Sequence, residues 1–186
     1  FVSKEFSYTE AHEILHQIDW DTWILEPGLT PVTLDFETQE FNDAVALASK
    51  YINGSVTEED IKAYEGYFVT LKGIFLSQLL QSQASLTKEI ITKIDSDLKI
   101  SQELNDELLY LWFQIAIASG YDQSPYSAEK EFLKSIGRLK YIQPIYQILQ
   151  TVSPDTAISF YHEICEMYHP IAQDFLEKAL ETSKCG

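Results

Sequence analysis

The spacing of apolar residues is helical along nearly the whole chain. Thr9 reads as an N-cap for a helix over Glu10–Ile18, with Glu10 and Glu13 in its first turns. Trp20 and Trp23 are three apart and share one face of a short second helix. Glu26-Pro27-Gly28-Leu29-Thr30-Pro31 then breaks the pattern and reads as a stiff connector. From about Phe36 the helical period resumes. Phe41, Ala44, Val45, Ala48 and Tyr51 form a stripe that Asn53-Gly54 closes. Thr57-Glu58-Glu59-Asp60 resembles a capping box. Leu71, Phe75, Leu79 and Leu80 mark the next helix, and Thr87 caps one bearing Ile90, Ile91 and Ile94.

Asn105 opens a helix that is apolar on both sides. Leu108, Leu111, Trp112 and Ile115 lie on one face and Leu109, Phe113, Ala116 and Ile117 on the other, which predicts burial all round until Gly120 ends it. Ser127 caps a helix that carries Lys130 and Lys134 and runs to Gly137-Arg138. Tyr141–Val152 follows, with Pro144 expected to be tolerated only in a first turn. Ser153-Pro154-Asp155 starts a helix striped with Ala157, Tyr161, Ile164, Cys165 and Tyr168. His169-Pro170 starts the last, with Ile171, Phe175, Leu176, Ala179 and Leu180 inward. No run alternates with period two. The expected fold is all-α: stacked helical pairs forming an α-α superhelix, an armadillo- or HEAT-like solenoid.

Composition narrows the function classes. With 186 residues and 45% hydrophobic content, the chain can bury a sizeable core. Its formal net charge of −16, from 29 acids against 13 bases, excludes nucleic acid as a partner, because a phosphate backbone needs a basic face. No apolar run reaches the ~20 residues of a bilayer span and no signal-peptide pattern opens the chain, so no membrane partner is expected. Cys165 falls in an apolar helical pattern and Cys185 in a frayed tail. They read as separate thiols making no disulfide framework, as in a reducing, cytoplasmic compartment. The chain opens on Phe1 and its one methionine is Met167, so it reads as a piece of a larger protein.

Two constellations could carry chemistry. His12-Glu13-Ile14-Leu15-His16 matches H-E-x-x-H, which on a helix puts two imidazoles on one face for zinc with Glu13 as base. Asp35 falls where a third, carboxylate ligand would be sought, but it lies beyond Pro27, Gly28 and Pro31 rather than on a packed helix. Ile14, Leu15 and Ile18 explain the segment as an amphipathic docking helix, so the motif is read as a decoy and no metal is assigned to this segment. His162 and His169 add no ligand set; the first is a lone histidine in a helix and the second an N-cap. The second constellation is Arg138, the only arginine in the chain. It stands with Lys134 and Lys140 in a window from Phe132 to Pro154 that holds no acid. A guanidinium offers a rigid fork of donors suited to a carboxylate, and Lys140 adds a point charge beside it. The plainer alternative is that Arg138 caps a helix C-terminus behind Gly137. No catalytic residue is assigned.

Three blocks resemble the C-terminal helical domain of the leukotriene A4 hydrolase family of zinc aminopeptidases. They are Asp19-Trp20-Asp21-Thr22-Trp23 with Pro27-Gly28-Leu29-Thr30-Pro31, Gly137-Arg138-Leu139-Lys140-Tyr141 with Pro144, and Tyr168-His169-Pro170-Ile171. Thr30 stands where the family has a proline. The resemblance implies that residues 1–33 are a leading helix and Pro/Gly connector from an upstream catalytic domain, and that 34–186 form the C-terminal helical domain. It implies a bifunctional zinc aminopeptidase and epoxide hydrolase, with zinc held in that catalytic domain and none here, and with the catalytic domain as intramolecular partner. It further implies that Arg138 and Lys140 hold the carboxylate of a peptide or a fatty-acid epoxide along a substrate channel walled by this domain. The alternative reading is an acidic α-solenoid that serves as a protein-interaction scaffold without enzymatic role. A third is a minimal zinc protease built on His12 and His16.

Overall fold

The computed structural model describes residues 2–32, 38–121 and 126–186, and among them every regular element is helical. The chain divides into two compact units, Phe1–Glu37 and Thr38–Gly186. In the first lie α1 (Val2–Glu5), α2 (Tyr8–His16) and α3 (Trp20–Leu25). The N-cap of α2 is Ser7, not Thr9: Ser7 accepts from the Glu10 amide and Glu10 accepts from the Ser7 amide, a closed capping box. Asp19 caps α3 through the Thr22 amide, and the Trp20 indole donates to the Leu15 carbonyl at 2.9 Å. Asp35 lies outside the described residues.

The second unit holds α4 (Gln39–Asn53), α5 (Glu58–Glu65), α6 (Val69–Gln81), α7 (Lys88–Leu98), α8 (Asp106–Ser119), α9 (Ser127–Ser135), α10 (Leu139–Val152), α11 (Pro154–Ile164) and α12 (Pro170–Leu180). Its local signals are those that elementary chemistry demands. Thr57 and Asp60 close a capping box on α5, Thr87 caps α7 and Asn105 caps α8. Gly54 and Gly120, at φ 71° and 64°, end α4 and α8 in the left-handed conformation that glycine adopts without steric cost.

Packing follows an alternating scheme. α4 packs on α6, α6 on α8, α8 on α10 and α10 on α12, making one layer. α5 touches α7 and α9 touches α11 in the other, so successive hairpins stack into an α-α superhelix. α8 is central, flanked by α6, α7 and α10, and this is why it is apolar on both sides. Leu108, Trp112, Ile115 and Ile117 are fully buried with Phe75, Tyr146 and Tyr161 in one continuous core.

Several local expectations are corrected, beginning with the cap of α9, which is Tyr126 and not Ser127. α9 stops at Ser135 with Ile136 as its cap, so Arg138 does not cap that helix; it is the N-cap of α10. α10 therefore begins at Leu139, and Pro144 sits in its interior rather than in a first turn. Burial of Tyr141, Ile142, Ile145, Tyr146 and Leu149 around that proline outweighs the lost hydrogen bond. Ile171 is exposed and Ala172 takes the inward position. Cys165 and Cys185 are not separate thiols: they form a disulfide across 20 residues, with Cα atoms 5.8 Å apart. The tail is not frayed either. The Cys185 amide donates to Glu177 at 2.9 Å, and Thr182 is hydrogen-bonded to His162 at 2.9 Å.

Candidate functional site

The N-termini of α8 and α10 meet, and their first turns carry opposite charge. Glu107 is the second residue of α8; Arg138, Lys140 and Tyr141 span the N-cap and first turn of α10. The Lys140 ammonium donates to both oxygens of Glu107, at 2.7 and 2.6 Å, and the Tyr141 hydroxyl donates to Glu107 Oε1 at 2.7 Å. These bonds, that from Lys140 foremost, hold the Glu107 carboxyl below its ordinary pKa. The same contact raises Lys140 and Tyr141. Each shift favours the paired state. Lys140 and Glu107 are nevertheless nearly half exposed, at 45% and 44% of their side-chain surface, so water screens the pair.

Aromatic rings organise the cations. Tyr110 and Tyr141 lie with centroids 5.2 Å apart, and Lys140 Nζ sits 5.8 and 5.3 Å from them. The Arg138 guanidinium lies 5.5 Å over the Tyr141 ring. Among the described residues the ion pairs all belong to lysines, and none uses Arg138. Arg138 is exposed, and its side chain supplies no cap to α10. The first amides of that helix have no intrahelical acceptor, and the helix dipole adds partial positive charge there. An arginine, an adjacent lysine and an uncapped helix N-terminus form a donor array for an anion.

Beside this cluster runs a groove of about 440 Å³, lined by Phe41 and Val45 of α4, Val69 and Ile74 of α6, and Glu107 and Tyr110 of α8. Glu107 thus belongs to both the groove wall and the charged cluster. It is the member of this cluster that the sequence does not reveal. An acid in the first turn of α8 reads as an ordinary helix start, and its partner lies 33 residues away.

The other candidate set comes together only in part. α2 puts His12 and His16 on one face with ring centroids 4.3 Å apart, and Glu13 is exposed. Among the described residues no three His, Cys, Asp or Glu side chains are grouped to hold a metal. The two imidazoles are one short of the three protein ligands of a catalytic zinc, and Asp35, the carboxylate weighed as a third, lies outside the described residues. No helix among the described residues is long and apolar enough to cross a membrane.

A family model described as leukotriene A4 hydrolase, C-terminal, matches residues 69–180, more than half of the chain. The chain is 32% identical over 180 residues to leucine aminopeptidase 2 of Ajellomyces capsulatus, covering 96% of this chain and 29% of that protein. It is 31% identical to leucine aminopeptidase 2 of Coccidioides immitis, over 92% of this chain and 28% of that one. The chain thus spans less than a third of these relatives. Among solved structures it resembles native yeast LTA4 hydrolase with a TM-score of 0.79 at 23% identity, over 93% of this chain and 31% of that one. The bestatin complex of the yeast enzyme gives a TM-score of 0.75. At this identity the likeness concerns the fold, and it agrees with the stacked helical pairs described above.

Proposed function

Because the chain belongs to the leukotriene A4 hydrolase C-terminal family, we propose that it is the carboxylate-anchoring helical domain of a bifunctional zinc aminopeptidase and epoxide hydrolase. On this reading residues 1–33 lead in from a catalytic domain that holds the zinc, and residues 34–186 wall the substrate channel. Arg138 and Lys140 bind the terminal carboxylate of a peptide, or that of a fatty-acid epoxide. The segment supplies orientation and charge, not the bond-breaking groups. Fixing the far end of a substrate places its scissile bond, and that contact contributes through kcat/KM.

The observation that carries the reading is Arg138: the sole arginine of an acidic chain, on an uncapped helix N-terminus, outside every ion pair among the described residues. On the same reading the protein works in the cytoplasm, where a disulfide such as Cys165–Cys185 is unusual and the contacts of Glu177 and His162 also fasten the tail.

The test uses the full-length protein that carries this chain, with matched peptides ending in a free carboxylate or an amide. A charge-assisted hydrogen bond is worth ~1.5–3 kcal/mol, so Arg138→Ala should lower kcat/KM for acids roughly ten- to hundredfold. Amides should lose much less, and Arg138→Lys should restore only part, because an ammonium cannot reproduce the two-pronged contact. Unchanged discrimination between acid and amide in Arg138→Ala refutes the assignment.

A further inference from the structure

We propose that Glu107 is the specificity-determining residue of this site: by engaging Lys140 and Tyr141 with its own carboxylate, it sets how strongly the site prefers a free acid over a neutral end group. This rests on the reading of Arg138 and Lys140 as carboxylate holders.

The geometry gives Glu107 the position that a second carboxylate would seek. Both of its oxygens accept from Lys140, and Oε1 also accepts from the Tyr141 hydroxyl. Formal charges within the cluster are two positive, on Arg138 and Lys140, and one negative, on Glu107. Lys140 is already matched at close range, so the uncompensated positive charge is that of Arg138. A ligand carboxylate that approaches Lys140 meets a like charge within a few ångströms, and like charges at that range oppose binding. Glu107 therefore divides the labour between the cations. Arg138 makes the stronger contact with the ligand carboxylate, while Lys140, held in place over Tyr110 and Tyr141, contributes with its attraction reduced. Because Glu107 also lines the groove between α4, α6 and α8, a ligand occupying that groove meets this carboxylate directly.

A purely positioning role makes the opposite prediction. If Glu107 serves only to order Lys140 and Tyr141, its loss disorders the anchor and weakens acid binding. If its charge tunes the site, its loss strengthens acid binding. Glu107→Gln separates the two, since the amide keeps the length and one acceptor oxygen while removing the charge.

The measurement is kcat/KM for tripeptides with free-acid and amide ends, on the full-length protein, for wild type, Arg138→Ala and Glu107→Gln. Glu107→Gln should raise the acid-to-amide ratio about three- to tenfold, mainly through a lower KM for acids. That gain should shrink as ionic strength rises from about 0.01 to 1 M, because exposed charges are screened. A ratio that stays level or falls in Glu107→Gln overturns the proposal. A gain independent of salt overturns it as well. The anchor itself is judged separately by Arg138→Ala. Collapse of acid preference there, together with a level or lower ratio in Glu107→Gln, leaves the anchor standing and removes only the role given to Glu107.

Discussion

Gly137 precedes Arg138, the proposed anchor, and the structure gives no conformational reason for a glycine there. Its φ lies outside the left-handed range, unlike those of Gly54 and Gly120. A Cβ built on it would meet Tyr168 Cδ1 at 3.9 Å, an ordinary van der Waals distance. Gly137→Ala should therefore leave the fold intact. Alanine also restricts the unfolded chain, which stabilises a protein by ~0.4–1 kcal/mol where the native conformation accepts it. For a domain of this size that corresponds to a rise of about 1–4 °C in Tm. Thermal unfolding followed by circular dichroism at 222 nm measures it. The acid-to-amide ratio of kcat/KM, taken on the same variant, reports the site independently. If Gly137 is there to let a ligand approach the backbone beside Arg138, KM for acids rises while Tm holds. A fall in Tm of more than about 3 °C would refute the reasoning, since it would mean that the Tyr168 contact or the backbone at residue 137 cannot accept a methyl group.

Two stability predictions follow from the core and the tail. Ile115 is fully buried in α8, so Ile115→Ala should cost ~2–5 kcal/mol in urea unfolding, and a loss under about 1 kcal/mol would deny α8 its central place. Reducing Cys165–Cys185, or replacing both by serine, opens a closure of 20 residues; the chain-entropy model assigns it ~3 kcal/mol, so Tm should fall by roughly 6–12 °C, and an unchanged Tm would show that the contacts of Glu177 and His162 suffice.

What was legible in the sequence was what is encoded locally. Thr57 and Asp60, three apart, announce a helix start because each side chain reaches the other's amide. Asn105 and Gly120 bracket α8, and its two apolar faces foretell a helix wedged between others. The disulfide had no such signal. Cys165 and Cys185 approach only because Glu177 and His162 turn the tail back, and that return is a tertiary event. Pro144 misled for a related reason. The local rule against an interior proline is sound, but five buried side chains of α10 override it. At α2 the residues themselves are sufficient: Ser7-x-x-Glu10 carries the capping-box spacing, and that pair, not Thr9, starts the helix.

The charged cluster shows the same boundary at the level of function. Arg138 stands out by arithmetic, one arginine among 13 bases in a chain of net charge −16. Such a protein repels anions over most of its surface, so an anion site requires a place where acids are missing and donors converge. The acid-free window from Phe132 to Pro154 supplies the first condition in one dimension. Folding then alters it, because α8 brings Glu107 across to Lys140 from 33 positions away. The window is therefore acid-free in sequence but not in space. Lys140 and Arg138, equivalent as bases in the sequence, become different groups: one is matched by a carboxylate, and the other sits over Tyr141 outside every ion pair among the described residues. On the proposed roles, that difference should make a single substitution at Arg138 and a single substitution at Glu107 push acid recognition in opposite directions.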